Sequence, residues 1–166
     1  MTGDDRAAPP FETWPVQLWA RDIGLRIWYA EPAVFVTQIS TKVARLPQAQ
    51  MIGQAMDHVL RRFRQQVDMH HGLLVIHDWR SVEVFEADAN SYYTHRISGY
   101  QRGEQRGASI ALKANPFVRG MLQLGAIAMP FRTGHPVSFI QDPLSLLAVH
   151  AVVPINGDPF RDLVRL

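Results

Sequence analysis

The run Leu73-Leu74-Val75-Ile76 constrains the fold more than any other part of the chain. Four consecutive apolar residues, two of them β-branched, lie between Gly72 and the polar break His77-Asp78-Trp79-Arg80. A strand with one wet face alternates apolar and polar side chains, whereas a strand covered on both faces does not. The run therefore predicts an interior strand, as in a parallel sheet, whose polar exit begins at His77.

The flanking segments fit that frame. Upstream, LRIWYA (25–30) and AVFVTQIS (33–40) are rich in β-branched and aromatic residues and are separated by Glu31-Pro32. So short a link predicts an antiparallel hairpin. Ile52, Ala55, Met56, Val59, Leu60, Phe63 and Val67 then recur at helical spacing after Pro47, with Gln54, Asp57, His58, Arg61, Arg62 and Gln65 on the opposite face. Proline is tolerated in the first turn of a helix, and His70-His71-Gly72 supplies the stop. Downstream, residues 88–103 predict a second helix with Tyr93, Ile97 and Tyr100 on one side, and GASIALK (107–113) a further buried strand. PVSFIQ (136–141) predicts another. Asn115-Pro116, Asp142-Pro143 and Asp158-Pro159 each place a capping side chain before a proline, predicting helices at 116–131, after 142 and over 158–166.

The order ββαβαβαβα, with a last short helix, calls for right-handed crossovers and a mostly parallel sheet. The expectation is one α/β domain over 21–166, a mixed, mostly parallel sheet of four to five strands with an N-terminal β-hairpin and packed helices. Residues 1–20 are expected to form a flexible or loosely packed leader in which Trp14 and Trp19 find some packing.

Composition narrows the functional classes. The chain of 166 residues is 47% hydrophobic and 19% charged, a globular balance. Its net charge of +2 is too small to argue for nucleic acid. Of 17 basic residues only Lys42 and Lys113 are lysine, and arginine favours planar anion contacts. Cysteine is absent, which excludes disulfides, thiolate chemistry and Cys-ligated metals and fits a cytoplasmic location. MTGDDRAAPP lacks the apolar core of a signal peptide. The most apolar stretch, 117–131, is interrupted by Arg119 and Gln123 and is too short to span a bilayer.

No catalytic, metal or cofactor motif emerges. His70, His71, His77 and Asp78 are metal-ligand types, but His70 and His71 are neighbours rather than an i, i+4 pair. There is no Gly-x-Ser-x-Gly elbow and no phosphate-binding glycine pattern. Glu83, Glu86 and Asp88 are close in sequence, and capping of the second helix by Glu86 or Asp88 accounts for them better than acid–base work does. Tyr92, Tyr93 and Arg96 are thin support for nucleic-acid stacking.

The element order, the Leu46-Pro47 helix start and the strand closing in Asp78 together resemble the STAS-like domains, the fold of anti-sigma-factor antagonists, and especially the divergent SpoIIAA-like branch. The likeness runs from about Leu25 to His150. It implies a non-enzymatic regulatory or binding module that meets a protein partner at the loop and helix start beyond the 73–77 strand. The family's phosphorylated serine would fall near Glu86-Ala87-Asp88, where this chain has none. Asp88 there would imitate a fixed negative charge, with about one charge where phosphoserine carries nearly two. The contact residues expected on this reading are Asp78, Trp79, Arg80, Asp88, Asn90, Ser91 and Tyr92, with Trp79 divided between contact and core. Two other readings stand beside it. One is a binder of a small apolar ligand or lipid, at a membrane surface or in a cavity lined by Met121, Leu122, Leu124, Ile127 and Met129. The other is an enzyme using His77, Asp78 and Glu86. An exposed hairpin or apolar helix face would also suit a homodimer.

Overall fold

A computed structural model describes residues 11–101, 103–112 and 136–163, without the side chains at 97 and 98. The expected helix at 116–131, with its proposed lipid-lining residues, and residues 1–10 of the leader lie outside the described residues.

The fold is one α/β domain around a mixed sheet. Strand β1 (Leu18–Ala20) pairs antiparallel with β2 (Leu25–Glu31), and β2 forms the expected hairpin with β3 (Val34–Ile39). Strands β4 (Val43–Ala44) and β6 (Val84–Phe85) form a separate parallel pair. The interior run is the centre of β5 (Leu73–Asp78), all six residues of which are buried. It pairs parallel with β3 on one side and with β7 (Gln105–Ala111) on the other. Strand β8 (Val137–Ile140) extends the parallel part beyond β7, and β9 (Val153–Pro154) pairs antiparallel with the far end of β2.

The sheet thus has seven strands, more than the four to five expected. The extra ones, β1 and β9, are only three and two residues long and carry no period to read. Strand β8 was expected to be buried but is half-buried. It ends the strand order and has a single sheet neighbour among the described residues.

Helix α1 (Leu46–Arg62) carries Pro47 in its first turn, and the Arg45 N–H donates to Gln48 Oε1 at 2.5 Å. It breaks at Phe63, which stacks on Tyr29 at 4.4 Å, and resumes as α2 (Arg64–Met69). Helix α3 (Ala87–Ser98) packs against α1, with Tyr92 and Arg96 over Gly53. Helix α4 (Pro143–Val149) is capped by Asp142, whose Oδ1 accepts from the Leu144 N–H at 3.0 Å. The short helix expected over 158–166 is a turn across the described residues to 163. Asp158 Oδ1 accepts from the Phe160 N–H, closing an Asx turn, and Pro159 is held by its carbonyl to His58 and Arg62 instead.

Strand periodicity sorts the core into two layers. Ile27, Tyr29, Phe35, Val75 and Ile110 face α1 and α3. Trp28, Val34, Val36, Leu74 and Ile76 face the opposite side, beneath Phe11, Trp14 and Leu147 of α4. The leader boundary therefore shifts. Phe11 and Trp14 are 3% and 5% exposed, and residues 18–20 are a strand of the sheet, so residues 11–20 belong to the domain.

Candidate functional site

The polar exit of β5 divides between the two faces of the sheet because successive side chains of a strand alternate. His77 faces α1 and α3. It lies beside Thr37 of β3, its register partner, and both are fully buried. Thr37 Oγ1 is 2.6 Å from His77 Nδ1, the Tyr93 hydroxyl meets Nε2, and Trp79 Nε1–H donates to Thr37 Oγ1 at 3.1 Å. The imidazole stacks on the Trp79 ring at 4.3 Å. Burial lowers the His77 pKa to about 3 and pushes the Tyr93 phenol well above its ordinary value. The ring is therefore neutral, and hydroxyls at both nitrogens can each donate or accept, so either tautomer is satisfied. This is a sealed polar network within the core, with no path for a reactant.

Asp78 faces the other side. Its carboxylate is buried and accepts two hydrogen bonds from Arg80, from Nε at 2.8 Å and from a terminal nitrogen at 3.1 Å, and a third from Gln38 Nε2 at 3.3 Å. The bond to Asp78 raises the Arg80 pKa, and the Arg80 side chain remains 40% exposed. Such a fork of parallel bonds fixes the direction of the loop as it leaves the strand.

Beyond Arg80 the chain forms a rim. The N–H groups of Glu83 and Val84 both donate to the Lys42 carbonyl, at 2.8 and 3.1 Å, and the Glu86 N–H donates to the Ala44 carbonyl at 3.0 Å. Glu86 occupies the position before α3, but its carboxylate turns to Arg45 at 3.3 Å rather than capping the helix. Asp88 accepts from the adjacent Ala89 N–H at 2.8 Å.

The expected contact residues therefore separate. Asp88, Asn90 and Ser91 are exposed at the start of α3, Arg80 and Tyr92 are half-buried, and Asp78 is buried as the anchor of the loop. Trp79 is 5% exposed and belongs to the core, because its indole N–H has its partner inside, on Thr37. His77, Asp78 and Glu86 point to three different places and do not form a site. Among the described residues no three His, Asp or Glu side chains converge as a metal would require, and no helix is long and apolar enough to cross a membrane.

The sequence reading did not anticipate Thr37 and Tyr93 as partners of His77. Thr37 in a run of apolar strand residues was the available signal, since a buried hydroxyl needs a partner. Comparison with known proteins adds no name: no family model, curated protein or solved structure matches the chain.

Proposed function

We propose that the chain is a non-enzymatic regulatory or binding module that meets a protein partner through segment 80–91, the loop and helix start beyond β5. One observation carries this reading. The backbone of the rim is tied to Lys42 and Ala44, while Ser81, Glu83, Val84, Asp88, Asn90 and Ser91 turn their side chains to solvent. A rim already held in one conformation loses little further freedom on binding. Val84, 52% exposed, gives it an apolar centre within a polar surround, the arrangement found at protein contacts. The STAS-like resemblance points to the same loop, with Asp88 as a fixed negative charge. A cytoplasmic setting fits the absence of cysteine.

The test is quantitative co-purification from the native host with the full chain, a Val84→Asp/Asn90→Arg double variant and a control, Met69→Asp, at an exposed position on α2. The expected result is a partner that the control retains and the rim variant loses by about tenfold or more. Recovery of the same proteins with the rim variant as with the unaltered chain overturns the reading.

A further inference from the structure

Two hydrogen-bond donors near the start of the domain are left without a use. The Nε1–H of Trp14 is buried and has no partner. Arg26 has no ion pair among the described residues; its guanidinium lies over the Trp19 ring at 4.2 Å. Stacking engages the face of a guanidinium and leaves its in-plane N–H groups free. Neighbouring donors are occupied: Trp28 Nε1–H donates to the Pro15 carbonyl at 3.0 Å, and the Gln17 amide serves Tyr29 and Ile155. A buried donor without a partner costs about 1–3 kcal/mol and is rare in a native protein.

Trp14 and Arg26 line the same pocket, about 210 Å³ in volume, whose walls include Phe11, Trp19 and Trp28. An apolar cavity of about 150 Å³ accommodates benzene, so this one has room for a single aromatic ring with a small substituent. The wall carries one carboxylate, the exposed Glu12, against two guanidiniums stacked on Trp19, those of Arg26 and Arg21. The local balance is cationic.

We propose that this pocket binds a small aromatic carboxylate. The ring lies among the indoles. The carboxylate accepts from the Arg26 fork, whose planar geometry it matches, and from Trp14 Nε1–H. The Trp19 stack holds Arg26 in position before the ligand arrives. This site is independent of the 80–91 rim.

Benzoate is the probe, titrated into the full chain and followed by tryptophan fluorescence and by calorimetry. Saturable binding with a dissociation constant below about 1 mM is expected. Arg26→Gln should weaken it by about tenfold or more, and Trp14→Phe, which keeps a ring and removes the N–H, by about three- to tenfold. Benzamide, of the same shape without the charge, should bind the unaltered chain at least about tenfold more weakly. Absence of saturable binding up to about 10 mM benzoate overturns the proposal, as does equal affinity in both variants. Acetate binding as tightly as benzoate overturns the aromatic class. Should Arg26→Gln fail to fold, Trp14→Phe and the benzamide comparison decide.

Discussion

The Tyr93 hydroxyl closes the second nitrogen of the His77 ring, so that α3 completes a polar network begun by two neighbouring strands. A polar group in so dry a place is stabilising only while it is neutral and fully partnered. That condition links the core of the protein to pH.

His77 is the first point of test. Its folded pKa, about 3, lies below its ordinary value of 6.5. The unfolded chain therefore takes up a proton that the folded chain refuses. Stability from this group is fully present above pH 6.5 and is lost as pH falls toward 3, at about 1.4 kcal/mol per unit. Between pH 7 and pH 5 the loss is about 2 kcal/mol. Urea unfolding of the unaltered chain and of His77→Gln at both pH values isolates the term, because other carboxylates act equally in both. Parallel pH profiles would refute it.

Trp79 separates core from contact. Trp79→Ala should cost about 3–5 kcal/mol by removing a buried indole. Trp79→Phe keeps a ring but removes the bond to Thr37, and should cost about 1–2 kcal/mol while leaving rim binding intact. Loss of partner binding in a fully folded Trp79→Phe chain would return this residue to the interface.

Gln17 acts as a strand would. Its carboxamide accepts from the Tyr29 N–H at 2.7 Å and donates to the Tyr29 and Ile155 carbonyls at 3.1 Å each. Gln17→Leu preserves size and abandons these groups in a buried place, so a loss of about 2–3 kcal/mol is expected in denaturant unfolding. An unchanged midpoint would show that water replaces the amide at no cost.

Gly72 and Gly157 form a matched pair. Both have positive φ, +115° and +95°. A Cβ at Gly72 would lie 2.8 Å from Arg106 N and 2.9 Å from Gln105 C, whereas one at Gly157 meets nothing within 4 Å. Alanine at Gly157 should cost about 1 kcal/mol, from conformation alone. Alanine at Gly72 should cost at least about 1 kcal/mol more, since backbone must move. Equal thermal shifts in the two variants would contradict the packing term.

What the sequence revealed follows from periodicity. The hairpin, the α1 stripe and the six buried residues of β5 all carry side-chain patterns that repeat within one element. Strands β1 and β9 carry none, because they are held by β2 and by the Gln17 amide rather than by their own composition. The pairing of His77 with Thr37 depends on strand register over 40 residues, and Tyr93 joins only because α3 docks where it does. Trp79 was ambiguous for a similar reason: an indole suits a core and an interface alike, and only the location of its N–H partner decides. The pocket at Trp14 and Arg26 was hidden in a segment read as a loose leader.

The double attachment of Gln17 reaches both arms of the chain. One carboxamide near the start of the described domain grips the middle of β2 and, through Ile155, the segment that follows β9. The arms are thereby spliced at a shared knot. Trimming either one should loosen the other, and the two should detach in concert rather than fray one at a time.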